Sequence, residues 1–228
     1  MFVLYASMAW NYLFRKIGIP VPLRWNSVGS TLFSWGISGL SEIAERLILK
    51  DMRKIILYIA ASLDQRIAEP DGSSEWLTDF PITEKANYGY NDFIASIDTI
   101  LMGGRSYREV LNMDIIGHYK NQQIYVITRG WTEKVAENVD FITDNIFEHI
   151  RKLRDSEGKN IWLFGGGELT AMLLTADLID EMQICYIPII LGDGIPLFPK
   201  QTKESKWELT TSKAYDSGIL SVNYQKQV

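Results

Sequence analysis

A glycine triplet between an apolar strand and a helix is the feature of this sequence with the clearest chemical potential. Gly165, Gly166 and Gly167 interrupt the run NIWLFGGGELTAMLL, which extends from Asn160 to Leu174. Glycine has no Cβ to obstruct a ligand or to forbid positive φ, and the N–H groups at a helix start attract anions. The turn therefore predicts a phosphate or pyrophosphate site, although glycines at such turns also serve close packing.

Two further strand ends carry groups that suit a phosphorylated dinucleotide. One predicted strand leads into Gly104-Arg105-Ser106, and another leads into Thr128-Arg129. Ligands of α/β sheets collect beyond the carboxyl ends of the strands, and guanidinium groups bind phosphate oxygens in a bidentate manner. Together with the glycine turn, these residues predict NADPH as the ligand, whereas either arginine alone is more often a solvated loop residue. Neither GxGxxG after the first strand nor GxxxxGK[ST] is present, which argues against a standard Rossmann or P-loop site.

Composition and charge exclude several functional classes. The net charge of -5 and the lack of a dense basic run argue against nucleic acid as the main partner. Cys185 is the only cysteine, so a disulfide framework and a thiolate metal cluster are excluded. His118 and His149 lack the spacing of metal ligands, and no metal site is predicted. A reducing cytoplasm is the predicted location.

Residues 1–51 differ in composition from the rest of the chain. Arg15, Lys16 and Arg24 interrupt this stretch before any apolar run reaches the roughly 20 residues of a membrane span. The charges also do not precede an apolar segment as in a secretory signal, so no membrane partner is predicted. The domain pattern begins at Met52. We interpret residues 1–51 as an appendage or an over-extended start, and residues 52–228 as the domain.

The order of elements after Met52 predicts an α/β fold. The predicted strands are Lys54–Ala61, Thr99–Met102, Gln123–Thr128, Val139–Ile142, Ile161–Phe164 and Glu181–Ile187, followed by a hairpin of Trp207–Ala214 and Ile219–Gln225. The predicted helices are one that Thr83 caps and that runs through Phe93 and Ile97, then Arg105–Leu111, Ile146–Arg154 and Glu168–Ala176. Such alternation predicts a mostly parallel central sheet with helices on both faces and an antiparallel C-terminal hairpin.

Five motifs, in this order, resemble the dihydrofolate-reductase-like superfamily. They are AASLDQRIA (Ala60–Ala68), DTILMGGRSY (Asp98–Tyr107), YVITR (Tyr125–Arg129), IWLFGGGEL (Ile161–Leu169) and DEMQICYIPIILGDGIPLF (Asp180–Phe198). The resemblance is strongest to the C-terminal reductase domain of the bifunctional riboflavin-biosynthesis deaminase-reductases. It implies a stand-alone relative with the dihydrofolate-reductase-like three-layer fold.

The resemblance also implies where the cofactor lies. The residues that would line the NADPH cleft are Ala61, Gly104, Arg105, Ser106, Thr128, Arg129, Gly165, Gly166, Gly167, Glu168 and Leu169. The arginines would lie near the 2′-phosphate, and the pyrophosphate would lie over the glycine turn. Relatives in the riboflavin branch form pairs, and the C-terminal strands offer an edge to cover, so a homodimer is expected.

Three positions depart from the pattern of the riboflavin reductases. A lysine on the first strand and an acidic residue before the paired glycines face the substrate in those enzymes, whereas this chain has Tyr58 and Phe164. Gln65 replaces the usual glycine of the SLDG motif. The loss of two charges argues against a ribityl- or ribosyl-phosphate pyrimidine as substrate and leaves the cofactor prediction unchanged.

The predicted reaction is hydride transfer from NADPH to a C=N or C=O bond of a small pyrimidine- or pterin-like heterocycle. Asp64 is a catalytic candidate beside the nicotinamide or substrate, and tying down the loop through backbone N–H groups is its alternative role. Trp76 is a second candidate that could stack on a flat ring, with core packing as the alternative. No His or Cys is placed for nucleophilic catalysis, which disfavours a hydrolase.

Two other functions remain open from the sequence. A true dihydrofolate reductase would need a carboxylate for the pterin, and Asp79 or Glu84 could supply it, although the spacing of that family is not reproduced. A catalytically weak NADP-binding protein would keep the cofactor cleft while its substrate pocket changed. Tyr58 and Phe164 favour this last alternative.

Overall fold

The computed structural model describes residues 52–80, 87–130, 132–199 and 203–227. The predictions for residues 1–51, and those for Thr83 and Glu84, lie outside this part of the chain. The strands are β1 (Ile55–Ser62), β2 (Arg66–Ala68), β3 (Ile97–Gly103), β4 (Gln123–Ile127), β5 (Val139–Ile142), β6 (Asn160–Gly165), β7 (Glu181–Ile187), β8 (Ile195–Pro196), β9 (Trp207–Ala214) and β10 (Leu220–Lys226). The α-helices are α1 (Tyr90–Ala95), α2 (Gly104–Asn112), α3 (Ile146–Asp155) and α4 (Gly167–Thr175), with 3-10 turns at Glu75–Leu77 and Ile116–Tyr119.

Eight of the described strands form one twisted sheet in the order β5-β4-β3-β6-β1-β7-β10-β9. The strands from β5 to β7 in this order pair in parallel. β10 pairs antiparallel with β7 on one side and with β9 on the other. β1 has a parallel neighbour on each side and is buried or half-buried along its whole length, as its continuous apolar run predicts. The predicted fold class is confirmed.

Alternate residues of β1 supply two hydrophobic cores, one on each face of the sheet. Ile55 and Leu57 pack with residues of α3 and α4, including Ile150 and Leu173. Ile56, on the opposite face, belongs to the core that α1 and α2 cover. A parallel sheet needs this double cover because both of its faces are apolar, and each fully buried aliphatic side chain stabilises the fold by about 1.5–3 kcal/mol.

A small second sheet forms in two segments for which the sequence predicts no strand. β2 and β8 pair antiparallel, with Arg66 opposite Pro196 and Ala68 opposite Ile195. Leu197 donates a backbone hydrogen bond of 2.9 Å to the carbonyl of Gln65, which extends the pairing. Strands of two and three residues are too short to show the alternation by which strands are recognised. This two-stranded sheet packs against the glycine turn, as described below.

Arg53 joins the amino ends of three neighbouring strands. Its side chain is only 5% exposed and pairs with Asp98 of β3. It also donates to the hydroxyl of Thr99 at 2.6 Å and to the carbonyl of Lys159, just before β6, at 2.5 Å. Further bonds reach the carbonyl of Leu153 in α3 and the Ser156 hydroxyl. The guanidinium therefore ties β1, β3, β6 and the end of α3 together.

Arg53→Met is expected to lower the free energy of unfolding by roughly 3–5 kcal/mol, because it leaves partly buried acceptors without their donor. Lys54→Met is the matched control, since Lys54 is 47% exposed and makes a surface ion pair of 2.6 Å with Glu181. The control should lose less than about 1 kcal/mol. Urea denaturation of the two variants measures the difference, and equal losses would contradict the role assigned to Arg53.

Candidate active site

The predicted cofactor residues meet at the carboxyl ends of three adjacent strands. β4, β3 and β6 are neighbours in the sheet. Arg129 follows β4, Arg105 lies in the first turn of α2 after β3, and Glu168 lies in the first turn of α4 after β6. Arg105 Nη1 is 3.7 Å from Glu168 Oε1, and Arg129 Nη2 is 3.9 Å from Glu168 Oε2. We call these three residues the charged triad.

Two predicted hydroxyl groups lie in contact with the glycines. A Cβ added to Gly166 would be 3.6 Å from Ser106 Oγ. A Cβ added to Gly104 would be 3.0 Å from Thr128 Oγ1. The hydroxyls of Ser106 and Thr128 therefore lie at the same strand ends as the charged triad, and both can donate to the oxygens of an anion.

The three glycines of the turn differ in how strongly the structure requires them. Gly165 has φ of +110°, which side chains rarely adopt. A Cβ on Gly167 would be 2.6 Å from the carbonyl oxygen of Pro196, so β8 packs directly on this residue. Gly166 has φ of -79°, and a methyl group there would make only ordinary contacts with Ser106 and Ile67. Packing thus explains why residue 167 is a glycine. Gly166 presents bare backbone, although neither its φ nor the neighbouring atoms require a glycine there.

Helix α4 starts at this turn and is held firmly by the core. Leu169, Thr170, Leu173 and Leu174 are buried, although Glu168 is exposed. The N–H groups of the first helical turn have no acceptor within the helix, and they make the helix start attractive to an anion. The rigid position of α4 aims these donors beyond the carboxyl end of β6.

Two of the predicted cofactor residues lie in the core. Ala61 is 0% exposed and Leu169 is 5% exposed, and both belong to the cluster that α3 and α4 cover. Their side chains support the strand and helix ends on which the cleft is built. Contact of Ala61 or Leu169 with a cofactor remains a prediction.

Asp64 ties two loops together. Its carboxylate accepts hydrogen bonds from Ser62 Oγ at 2.6 Å, from Leu191 N at 3.1 Å and from Gly192 N at 2.9 Å. The Ser62 hydroxyl lowers the pKa of Asp64 to about 2 against an opposing effect of burial, and the Leu191 and Gly192 amides lower it further. An ionised carboxylate with three donors suits the loop-binding alternative, and it is a poor source of protons at neutral pH. A catalytic role for Asp64 remains a prediction.

Trp76 packs in the hydrophobic core, which is the alternative role that the sequence analysis gives it. The side chain is 7% exposed and packs in a cluster with Cys185, Ile187 and Ile219. Its indole Nε1 is buried and has no hydrogen-bond partner among the described residues. Stacking on a substrate would require this ring to leave the core, so the geometry favours packing. Asp79, the described carboxylate of the dihydrofolate-reductase alternative, is exposed.

Tyr58 and Phe164 join an aromatic cluster on the face of the sheet covered by α1. Tyr58 stacks on Phe93, with centroids 4.2 Å apart and planes inclined by 12°. Trp162 lies 5.0 Å from Phe164, and Tyr119 meets Phe164 edge-on at 6.2 Å. Trp162 Nε1 also donates to the Tyr58 carbonyl at 3.0 Å. We call these five residues the aromatic cluster.

The aromatic cluster is electrically neutral. Burial raises the pKa of Tyr58, with a further rise from the neighbouring Cys185, and burial raises the pKa of Tyr119 as well. Burial likewise raises the pKa of the Cys185 thiol. The cluster therefore offers rings and neutral hydroxyls where the riboflavin reductases that the sequence resembles have charged groups.

Arg66 is a candidate site residue that the sequence analysis did not predict. It lines a cleft of about 270 Å³ together with Leu63, Asp64, Gln65, Pro196 and Phe198, beside the strand that packs on Gly167. Arg66 Nη1 donates to the Gly194 carbonyl at 3.3 Å. Its position directly after the SLDQ segment was the available signal, but the pairing of β2 with β8 that forms the cleft is not visible in the sequence.

Two kinds of site are not found in the part of the chain that the structure describes. No group of three or more His, Cys, Asp or Glu side chains is placed to hold a metal ion. Among the same residues, no helix has both the length and the apolar character needed to cross a membrane.

Comparison with known proteins identifies the family. The family model described as the RibD C-terminal domain matches residues 53–221. The chain belongs to the RibD C-terminal domain family. The resemblance to riboflavin-biosynthesis reductase domains is confirmed, and the chain is a reductase-like member of that family.

Two Bacillus subtilis (strain 168) proteins are similar to this chain over most of their length. YwjB is 37% identical over 167 residues, which are 73% of this chain and 95% of YwjB. YyaP is 31% identical over 189 residues, and the match covers 75% of this chain and 94% of YyaP. Both are named as uncharacterized proteins, so they support the family and leave the substrate open.

Solved structures agree with the observed fold. A candidate riboflavin biosynthesis protein of Shewanella sp. PV-4 has a TM-score of 0.69 and 27% identity, and covers 77% of this chain and 99% of its own. The Thermotoga maritima diaminohydroxyphosphoribosylaminopyrimidine deaminase/5-amino-6-(5-phosphoribosylamino)uracil reductase has a TM-score of 0.58 and 16% identity. The match covers 82% of this chain and 62% of that bifunctional protein, and it shows the fold alone.

Asp64→Asn is expected to destabilise the fold in a pH-dependent way. The folded-state pKa of about 2 lies below the ordinary value of 3.8, so the carboxylate stabilises the fold above pH 4 and loses this effect as pH falls toward 2. Urea midpoints of wild type and Asp64→Asn should therefore differ at pH 6 and converge near pH 2. Asp79→Asn, at an exposed position, is the control. A difference that stays constant with pH would contradict the proposed hydrogen bonds.

Proposed function

We propose that this chain is an NADPH-dependent reductase acting on a C=N or C=O bond of a small planar heterocycle. The observation that carries the proposal is the convergence of Arg105, Arg129 and the glycine turn at the carboxyl ends of β3, β4 and β6. Phosphate oxygens match guanidinium groups and helix-start N–H groups. Membership of a reductase-like family supports the same conclusion.

The residues present fit the cofactor. Arg105 and Arg129 would hold the 2′-phosphate, Ser106 and Thr128 would donate to phosphate oxygens, and Gly166 would allow the pyrophosphate close to the backbone. When bound, NADPH supplies the hydride. The chain binds and orients the two reactants and excludes water. Asp64, already satisfied by three donors, acts here as a positioning residue for the loop after β1.

The aromatic cluster supports a neutral, planar substrate. Tyr58 and Phe164 stand where the riboflavin reductases have a lysine and an acid, and the structure surrounds both with rings. Desolvating a charged ribosyl-phosphate group against rings is costly, whereas an uncharged heterocycle gains favourable stacking. The proposed substrate is thus pyrimidine- or pterin-like without that charged group. The reaction is related to the uracil reductase activity named for the Thermotoga maritima protein.

NADPH binding to the full chain, followed by cofactor fluorescence, tests the cofactor site. Arg105→Ala with Arg129→Ala should weaken NADPH binding by about tenfold or more, because two charge-assisted contacts are lost. Arg108→Ala with Arg151→Ala, at two exposed helix positions, is the control and should bind as the wild type does. No binding by the wild type, or equal weakening in the control, would contradict the proposed site.

NADPH consumption, measured with the same protein and different substrates, distinguishes the alternative functions. Turnover of uncharged pteridines or pyrimidines, without turnover of the phosphoribosylamino-uracil substrate, would support the proposal. Consumption with dihydrofolate that an antifolate blocks, and that Asp79→Asn or Glu84→Gln abolishes, would support a true dihydrofolate reductase instead. Binding without turnover of any heterocycle or small carbonyl would support the catalytically weak NADP-binding protein, which the packed aromatic cluster also favours.

Homodimerisation and a cytoplasmic location complete the proposal. β9 ends the described sheet, and its residues from Glu208 to Ala214 are all exposed. An exposed edge strand of this length is usually covered, and a second copy of the chain would cover it. The lone buried Cys185 suits a reducing cytoplasm. Light scattering at micromolar concentration should give twice the chain mass, and the mass of one chain would rule out the dimer.

A further inference from the structure

The charged triad contains an anion of its own between the two predicted phosphate ligands. Each carboxylate oxygen of Glu168 faces a different arginine, at 3.7 Å for Arg105 and 3.9 Å for Arg129. Two guanidinium groups with one anionic group between them form the arrangement that a 2′-phosphate needs. The carboxylate of Glu168 therefore lies where the ligand's phosphate is expected.

The backbone at Arg105 and Glu168 is held by regular structure, and the side chains of the triad are exposed to solvent. Arg105 and Glu168 are each the second residue of a helix, which starts directly after β3 in one case and one residue after β6 in the other. The side chains of Arg105, Arg129 and Glu168 are 76%, 94% and 74% exposed. The positions from which these side chains extend are thus set by the sheet, while the carboxylate can move away from the arginines when a stronger anion arrives.

Glu168 affects the two nicotinamide dinucleotides in opposite ways. A 2′-phosphate must displace the carboxylate from the arginines and then remain near a like charge. A ribose that keeps its 2′-hydroxyl instead offers a donor to the carboxylate, which is how acidic residues recognise NADH in other dinucleotide folds. We propose that Glu168 sets the NADPH-to-NADH preference by competing with the 2′-phosphate for Arg105 and Arg129, an inference that rests on the proposed cofactor site.

Glu168→Gln should tighten NADPH binding about fivefold, since one unit charge at 4 Å in a water-like medium contributes about that factor. NADH binding should stay the same or weaken, so the ratio of the two dissociation constants changes in favour of NADPH. Glu168→Asp retains the charge and should keep a ratio close to that of the wild type. The change in ratio should also shrink in 1 M salt, where the Debye length is only about 3 Å.

Glu148→Gln is the matched control. Glu148 lies in the first turn of α3, is 63% exposed and pairs with Lys152 at 2.7 Å, so its charge and helix position resemble those of Glu168. This variant should leave the ratio unchanged. Adenosine 2′-phosphate and adenosine serve as fragment probes, because they report the 2′-phosphate contact without the nicotinamide.

The outcomes separate this inference from the proposed function. A ratio shifted toward NADPH in Glu168→Gln alone, with the same shift for adenosine 2′-phosphate over adenosine, supports the competition. An unchanged ratio, or equal weakening of both dinucleotides, overturns it while leaving the reductase proposal standing. Failure of the wild type to bind either dinucleotide overturns the cofactor site, and this inference with it.

Discussion

The buried guanidinium of Arg53 is the interaction on which the arrangement of the strands depends. It binds groups at the amino ends of β3 and β6 while belonging to the residue two positions before β1. A buried charge is tolerated only when its donors are satisfied, so the alignment of these strand ends is strongly constrained. Alignment at the amino ends, together with the register shift that places Leu101 opposite Leu163 and Met102 opposite Gly165, sets which residues meet at the carboxyl ends. The glycine turn and the triad arginine Arg105 therefore come together at a point about one strand length away from Arg53.

The candidate cofactor site combines a rigid base with exposed charges. Leu169 and Leu173 hold α4 in the core, and the Pro196 carbonyl packs on Gly167, so the helix start cannot shift easily. The charged side chains that extend from this base are largely solvent-exposed. In the proposed cofactor site, such an arrangement would place the donors accurately and leave the charges free to exchange a protein carboxylate for a ligand phosphate. The aromatic cluster, with Tyr58 stacked on Phe93, is neutral and packs under α1 and α2. In the proposed function, the charged triad would bind the cofactor phosphate and the aromatic cluster would contact the ring of the substrate.

Long apolar runs and the strand-to-glycine turns were predictable because their signals are local. The bounds of β5 and β7 agree with the prediction, and those of β1 and β6 differ by one residue at each end. β2 and β8 were not predicted, since two or three residues show no periodicity and their pairing joins distant segments. For the same reason the cleft beside Arg66 was missed. The roles of Asp64 and Trp76 also depended on distant partners, namely the Leu191 and Gly192 amides and the Ile219 side chain.

By itself, the sequence determined the α/β class, the order of the main strands and the residue types available to bind a dinucleotide phosphate. These properties follow from hydrophobic periodicity, glycine at turns and arginine chemistry, all of which act over a few residues. Only the tertiary structure decided that Glu168 lies between Arg105 and Arg129. It also decided that the Pro196 carbonyl leaves room only for glycine at position 167, and that the ring of Tyr58 stacks on Phe93. Each of these facts is a distance between segments far apart in the chain. Such distances are set by the crossover of β6 into the space between β3 and β1, and no local pattern contains them.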